Sequence, residues 1–87
     1  MPKRYTIRFG TSAARALQRL DVSLRVRISR AIDALADNPF PPSARKLRGE
    51  ERSYRIRIGD YRVVYDVLEE VVVVLILRIG HRKDVYR

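Results

Sequence analysis

The sequence predicts a single α+β domain, residues 1–87, in which a strand and a helical hairpin precede three antiparallel strands, in the order β-α-α-β-β-β. Three observations indicate this fold class. A chain of 87 residues is long enough for one domain with one modest hydrophobic core. Apolar residues recur with helical spacing in the first half and with strand spacing in the second half. A Gly-Asp pair between two alternating segments is typical of a two-residue β-hairpin turn.

The first half of the chain predicts a strand followed by two helices. Apolar and polar residues alternate over residues 4–9, as in a half-buried strand, and Gly10 ends the alternation. Thr11 or Ser12 can cap the first helix, and the segment Asp21-Val22-Ser23 ends that helix and can cap the second. The apolar residues of the second helix fall on one stripe: Leu24, Ile28, Ala31, Ile32 and Leu35. We therefore expect a helical hairpin that packs on one face of a sheet.

The second half predicts a loop and then three strands. Asn38-Pro39 ends the second helix and opens a proline-rich loop that reaches Gly49. Residues 53–67 alternate on both sides of Gly59-Asp60, which predicts a hairpin. Residues 71–79 form a near-continuous apolar run, which favours a central strand covered on both faces.

The predicted turn at Gly59-Asp60 determines which residues of the hairpin face each other. Arg57 lies opposite Arg62, and Arg55 lies opposite Val64, on one face of the sheet. We call this the arginine face. The other side of the hairpin is apolar and carries Tyr54, Ile56, Ile58, Tyr61, Val63 and Tyr65. Like charges directly opposite each other repel, so the cluster favours an anion bound between the arginines, with a solvated, solubilising face as the alternative.

The charge of the chain predicts a polyanionic partner. The formal net charge is +9 and the sequence pI is about 10.8, which fits nucleic acid, an acidic protein or an anionic membrane surface. Most of the cations are arginines, which bind phosphate in a bidentate way. Arg45, Lys46 and Arg48, just before the hairpin, add candidate phosphate-binding side chains.

Composition argues against several other classes. The chain has no cysteine and one histidine, so we expect no disulfide, no metal site and no cofactor. The longest apolar run, residues 71–77, is too short to span a bilayer, and no signal-peptide-like stretch opens the chain. We therefore expect a cytoplasmic protein without a membrane partner.

The tail, residues 80–87, holds the remaining candidate side chains. It follows the predicted central strand, so its side chains are expected to emerge beside the arginine face. His81 is either an exposed or capping residue or a proton-transfer group. Tyr86 either docks on the sheet or stacks on an unpaired base.

Three segments together resemble a known family. They are KLRG at residues 46–49, YRIRIGDYRVVY at 54–65 and GHRKDVY at 80–86. The chain is similar along its whole length to the RelE branch of the RelE/ParE toxins, the toxin halves of bacterial and archaeal type II toxin–antitoxin pairs. The resemblance implies a compact fold of the predicted order and metal-independent cleavage of mRNA in the ribosomal A site. In the implied reaction, a ribose 2′-hydroxyl attacks the adjacent phosphate, which leaves a 2′,3′-cyclic phosphate and a 5′-hydroxyl.

The resemblance also implies a set of catalytic positions: Arg55, Arg57, Arg62, His81, Arg82 and Tyr86. Arg55 and Arg57 stand where the well-known member of the branch has lysines. An arginine is effectively never deprotonated, so neither is expected to act as a general base. Because relatives in the wider superfamily use a histidine near the C-terminus, His81 is the candidate for proton transfer.

The other roles implied by the resemblance concern the bound RNA. Arg62 matches an arginine that stabilises the phosphate, and Arg82 matches a second active-site arginine. Tyr86 matches a tyrosine that stacks on the substrate base. The basic residues at 45, 46 and 48 are expected to contact phosphates of mRNA or of the ribosome.

The resemblance implies a partner as well, namely an acidic, partly disordered RelB-like antitoxin in a hetero-oligomer with the toxin. One alternative is a ParE-like protein that poisons DNA gyrase without cleaving RNA, and another is a basic RNA-binding module without activity. ParE-like chains generally carry a longer helical hairpin and lack the late tyrosine. The short hairpin between Gly10 and Asp37 and the presence of Tyr86 favour the RelE branch.

Overall fold

The computed structural model describes residues 4–81 and 83. Two helices pack on one five-stranded sheet whose strands lie in the order β1-β5-β4-β3-β2. The elements are β1 (Thr6–Phe9), α1 (Thr11–Arg19), α2 (Val22–Ala34), β2 (Arg45–Lys46), β3 (Ser53–Ile58), β4 (Tyr61–Leu68) and β5 (Val73–His81). β1 is parallel to β5, and the other neighbours are antiparallel. The predicted α+β class and element order are confirmed, with β2 as an additional short strand inside the predicted loop. No helix in the described part of the chain is long and apolar enough to cross a membrane.

The two helices begin in different ways, α1 at a glycine and α2 at a side-chain cap. The N-cap of α1 is Gly10, without a side-chain cap, so the predicted caps at the next two residues are wrong. The Gly10 N–H donates to the Ile76 carbonyl at 2.8 Å, and a Cβ on Gly10 would lie 3.3 Å from the same oxygen. A glycine therefore suits the point where β1 leaves the sheet and α1 begins. Asp21 caps α2 as predicted, because its carboxylate accepts the Leu24 N–H at 2.9 Å.

The hydrophobic core lies between the helices and one face of the sheet. Its largest fully buried side chains are Tyr65, Ile28, Ile32, Leu35, Ile76, Val63 and Val74. The Tyr65 hydroxyl donates to the Pro39 carbonyl at 2.8 Å and so anchors the loop that follows α2. Burial, with a smaller contribution from Tyr54, raises the pKa of Tyr65 to about 12.

The β3–β4 hairpin has the predicted register. Gly59 has a φ of 60°, as a two-residue turn of the favoured kind requires, and Ile58 pairs with Tyr61. The next turn, between β4 and β5, is less well matched to its sequence. Val72 has a φ of 56° there, a left-handed conformation that is costly for a β-branched residue.

Strand β5 is central in the sheet, but its two faces are not equally covered. Val74, Ile76 and Ile79 are buried, whereas Leu75 is half-buried and Arg78 is exposed. The prediction of a strand covered on both faces is therefore wrong. α1 packs on β5 and α2 packs against β3 within one core, so neither of these helices covers the opposite face, which is the arginine face.

Candidate nucleic-acid interface

Three strands bring four arginines to the arginine face. Arg57 on β3 pairs with Arg62 on β4, as predicted. Arg55 pairs with Val64 on β4 and with Arg45 on β2. Since paired residues project to the same face, Arg45 joins the three arginines of the hairpin. Two of these cross-strand pairs place like charges directly opposite each other, an arrangement that disfavours folding unless an anion offsets it.

The arginines differ in their access to solvent. Arg57 is exposed and Arg55 is half-buried, whereas Arg62 is only 6 % exposed. Arg62 pairs with Gly80 of β5 on its other side, which leaves room there for the long arginine side chain to lie against the sheet. Arg62 therefore does not belong to a fully solvated face.

A small cavity marks where the exposed cations converge. Its volume is about 140 Å³, and it is lined by Ser43, Arg45, Arg55 and Arg57. The Arg45 guanidinium donates through one nitrogen to the carbonyls of Pro42 and Ala44, each at 3.0 Å. These bonds hold the Arg45 side chain against its own loop. Arginine side chains are positively charged under physiological conditions, so the cavity is lined by cations. The cavity can accept the non-bridging oxygens of a phosphate group.

The face carries two further arginines that sequence reasoning did not single out, Arg78 on β5 and Arg8, which lies on β1 and pairs with Leu75. Arg78 on β5 pairs with Val64 and is exposed, so it continues the row formed by Arg45 and Arg55. The available signal was its position, because it is the one charged residue in the apolar run from residue 71 to 79. Asp66 also lies on this side of β4, and its carboxylate accepts a hydrogen bond from the Ser53 hydroxyl.

The structure places His81 away from the arginine cluster. His81 pairs with Tyr61, and their rings are in edge contact with centroids 5.6 Å apart. Tyr61 packs against the core on the helical side of the sheet, so the His81 ring projects to the face opposite the arginines. Its Nδ1 accepts the Lys83 N–H at 3.3 Å, which occupies the lone pair on that nitrogen.

Two of the predicted phosphate contacts also lie elsewhere. Lys46 pairs with Tyr54, so its side chain projects to the helical side, unlike that of its neighbour Arg45. Arg48 is exposed in the turn after β2, beside Gly49. Arg82 and Tyr86 lie outside the described residues. Within residues 4–81 and 83, no three histidine or acidic side chains are grouped as a metal site requires.

Comparison with known proteins shows which family the chain resembles. Residues 4–86 match the model of the ParE toxin of the type II toxin–antitoxin system parDE. The chain is 33% identical over 87 residues to a putative RelE-like toxin protein of Escherichia coli, covering 95% of this chain and 90% of the relative. It is 36% identical over 87 residues to toxin RelG of Mycobacterium tuberculosis, covering 95% and 97%. The mRNA interferase toxin RelE of Escherichia coli K12 is 30% identical over 81 residues, with 91% and 84% covered.

Solved structures agree with these relatives. The archaeal RelE–RelB complex from Pyrococcus horikoshii matches with a TM-score of 0.81 and 31% identity, covering 93% of this chain and 98% of that one. The isolated Escherichia coli RelE toxin matches with a TM-score of 0.80 and 28% identity, covering 88% and 83%. The chain therefore belongs to the ParE toxin family of type II toxin–antitoxin systems, as a RelE-type toxin.

Proposed function

We propose that this toxin is a ribosome-dependent endoribonuclease that cleaves mRNA in the A site and stops translation. The observation that carries the proposal is the pairing of arginines across β2, β3 and β4 on a face that neither α1 nor α2 covers. An RNA phosphate is the anion that would offset this repulsion. Two relatives with 30% identity are named mRNA interferases, which supports RNA as the substrate.

The arginines would act by stabilising charge. The ribose 2′-oxygen forms a bond to phosphorus while the bond to the 5′-oxygen breaks, leaving a 2′,3′-cyclic phosphate and a 5′-hydroxyl. Negative charge grows on the phosphoryl oxygens in the transition state, and preorganised cations stabilise it more than they stabilise the substrate. Arg55 and Arg57 line the cavity where that group would bind, and Arg62 supplies a buried cation on the neighbouring strand. Arg82 and Tyr86 complete the proposed set as a second phosphate contact and a base-stacking ring.

The reaction also needs a proton acceptor for the 2′-hydroxyl and a donor for the 5′-oxygen. The described arginine face offers arginines, which are effectively never deprotonated, and Asp66, which is bonded to Ser53. His81 projects to the other face. Proton transfer is therefore assigned to groups that the ribosome brings to the bound mRNA, and this is the physical reason to expect ribosome dependence.

A second candidate function is inhibition of DNA gyrase, because the matching family model is that of a ParE toxin. The helical hairpin argues for the first function, since α1 has 9 residues and α2 has 13, short for a ParE-like hairpin. Pulse labelling after induction in cells separates the two. RelE-like action stops methionine incorporation within minutes while thymidine incorporation continues. Thymidine incorporation failing first would favour gyrase as the target.

The proposed partner is an acidic RelB-like antitoxin. Several solved relatives are RelB–RelE complexes, and a chain with net charge +9 has a surface suited to an acidic segment that folds on it. Co-expression with a small acidic protein encoded next to the toxin gene should restore growth. Failure of every such neighbour to restore growth would contradict this partner.

A further inference from the structure

A larger cavity adjoins the arginine face at the outer edge of β3. Its volume is about 370 Å³, within the range of small-molecule sites. The end of α2 and the loop after it form most of its wall, with Ala34, Leu35 and Pro41 among the lining residues. Ile58 closes it from the sheet, so the lining is mainly apolar.

This cavity and the cationic cavity share two lining residues, Ser43 and Arg57. The apolar cavity lies on the side of the helices, and the cationic cavity lies on the side of the other arginines. A ligand with an anionic group next to an apolar group could therefore occupy both at once. A nucleotide has this composition.

The backbone N–H and C=O groups of Arg57 add a hydrogen-bond donor and an acceptor at the edge of this cavity. The Leu47 N–H donates to the Ser53 carbonyl, and the Val67 N–H donates to the Arg52 carbonyl. In an antiparallel ladder such bonds alternate, so odd-numbered residues of β3 direct their peptide groups toward β2. β2 begins at Arg45, opposite Arg55, so within the described residues Arg57 has no strand partner on its outer side. Its N–H and C=O point toward the cavity edge.

The length of the β3 edge that β2 leaves unpaired indicates which kind of ligand fits there. It is one residue long, because β2 covers the edge as far as Arg55 and the turn begins at Gly59. A peptide strand needs several such positions, whereas a nucleobase carries a donor and an acceptor side by side on one edge. We propose that this cavity is a nucleobase subsite, in which an unpaired base packs against Ala34 and Pro41 while its phosphate lies among Arg45, Arg55 and Arg57.

The inference rests on the proposed function in taking RNA as the ligand, but its test needs no ribosome. Adenosine 5′-monophosphate and ribose 5-phosphate are titrated separately into the intact toxin, with binding followed by NMR or calorimetry. The two probes share the phosphate and ribose, so their difference reports the base. We expect adenosine monophosphate to bind about tenfold more tightly to the wild-type chain.

Ala34→Leu fills the subsite without entering the core, because Ala34 is exposed at the end of α2 and leucine is a good helix former. We expect it to lower adenosine monophosphate binding to the level of ribose 5-phosphate and to leave ribose 5-phosphate binding unchanged. Ala14→Leu, on α1 and away from the cavity, is the matched control and should bind both probes normally. Arg55→Ala should weaken both probes equally.

Equal affinity of the two probes for the wild-type chain, or undiminished adenosine monophosphate binding by Ala34→Leu, would overturn the subsite. Absence of binding by either probe would overturn it together with the phosphate cavity. An Ala34→Leu toxin that cleaves normally but escapes its antitoxin would assign the cavity to a partner side chain and overturn it too. A wild-type chain that prefers adenosine monophosphate but cleaves nothing on ribosomes would refute the proposed function and support the subsite.

Discussion

Replacing Tyr65 with phenylalanine tests the link between the core and the cationic cavity. The Tyr65 side chain is fully buried, and its hydroxyl donates to the buried Pro39 carbonyl at 2.8 Å. The Tyr65→Phe variant keeps the ring but leaves that carbonyl without its partner. A buried unsatisfied group costs about 1–3 kcal/mol, so the free energy of unfolding should fall by that amount. For a domain of this size, each kcal/mol lowers the Tm by about 4–8 °C.

The same substitution has a signature in the pH dependence of stability. The pKa of Tyr65 is raised from 10.0 to about 12, so folding favours the protonated hydroxyl. Its contribution is fully present below pH 10 and is lost as the pH rises from 10 toward 12. Each pKa unit corresponds to about 1.4 kcal/mol, which gives a loss of about 2–3 kcal/mol across this window. The Tyr65→Phe variant should lack this part of the alkaline decline.

Urea unfolding of the wild-type chain and the Tyr65→Phe variant, at neutral pH and in steps up to pH 12, measures both the loss of stability and the alkaline decline. Tyr54→Phe is the matched control, since Tyr54 is only half-buried and phenylalanine keeps its ring contacts, so the change should cost little stability at neutral pH. Pro39 begins the loop that carries Ser43 and Arg45, so Tyr65→Phe should also weaken ribose 5-phosphate binding. A variant as stable as wild type at neutral pH, with an unchanged alkaline decline, would refute this reasoning.

Substitutions at four further positions, with one control on α2, test the site and the fold. Arg57→Ala should lower cleavage on ribosomes by about 100-fold or more without lowering the Tm, because the residue is exposed and opposed by a like charge. The control Arg30→Ala, which removes the same charge from an exposed position on α2, should cleave normally. Equal losses of activity in the two variants would mean that net charge alone explains the effect. Tyr86→Phe should keep most activity while Tyr86→Ala loses it with an unchanged salt dependence of binding; a Phe variant as inactive as the Ala variant would make the hydroxyl catalytic. His81→Gln should leave the pH profile of cleavage unchanged, because the ring contacts Tyr61 on the other face, and loss of turnover at neutral pH would return proton transfer to His81. Val72→Gly should raise the Tm measured by calorimetry. The substitution removes the backbone strain of a valine in the left-handed region, about 1–2 kcal/mol, which exceeds the entropic cost of ordering a glycine, about 0.5–1 kcal/mol. A lower Tm would mean that packing of the valine side chain outweighs the strain.

The sequence predicts the parts of the site that depend on local chemistry. A Gly-Asp turn admits one hairpin register, and that register places Arg57 opposite Arg62 and Arg55 opposite Val64, as the structure confirms. The Asp21 cap is local in the same way. These features need no knowledge of distant contacts.

The remaining parts depend on pairing between distant segments. β2 has two residues, too few for an alternating pattern, so the separation of Arg45 from Lys46 onto opposite faces could not be seen in the sequence. The β4–β5 register contains an irregularity at Val64/Tyr65, where Leu77 is skipped. A bulge of this kind reverses the faces that alternation alone would assign, so the side of the sheet to which His81 projects became visible only in the structure.

The central claim is that the arginine face stabilises charge on an RNA phosphate while the ribosome supplies the proton transfer. The most direct measurement incubates the purified wild-type toxin with one mRNA, either free or bound to ribosomes with an empty A site, and maps the cut ends. We expect cleavage within the A-site codon on ribosomes, with a 2′,3′-cyclic phosphate and a 5′-hydroxyl as products, and little cleavage of free mRNA. Equally fast cutting of the free mRNA, or intact mRNA on the ribosomes, would contradict the account.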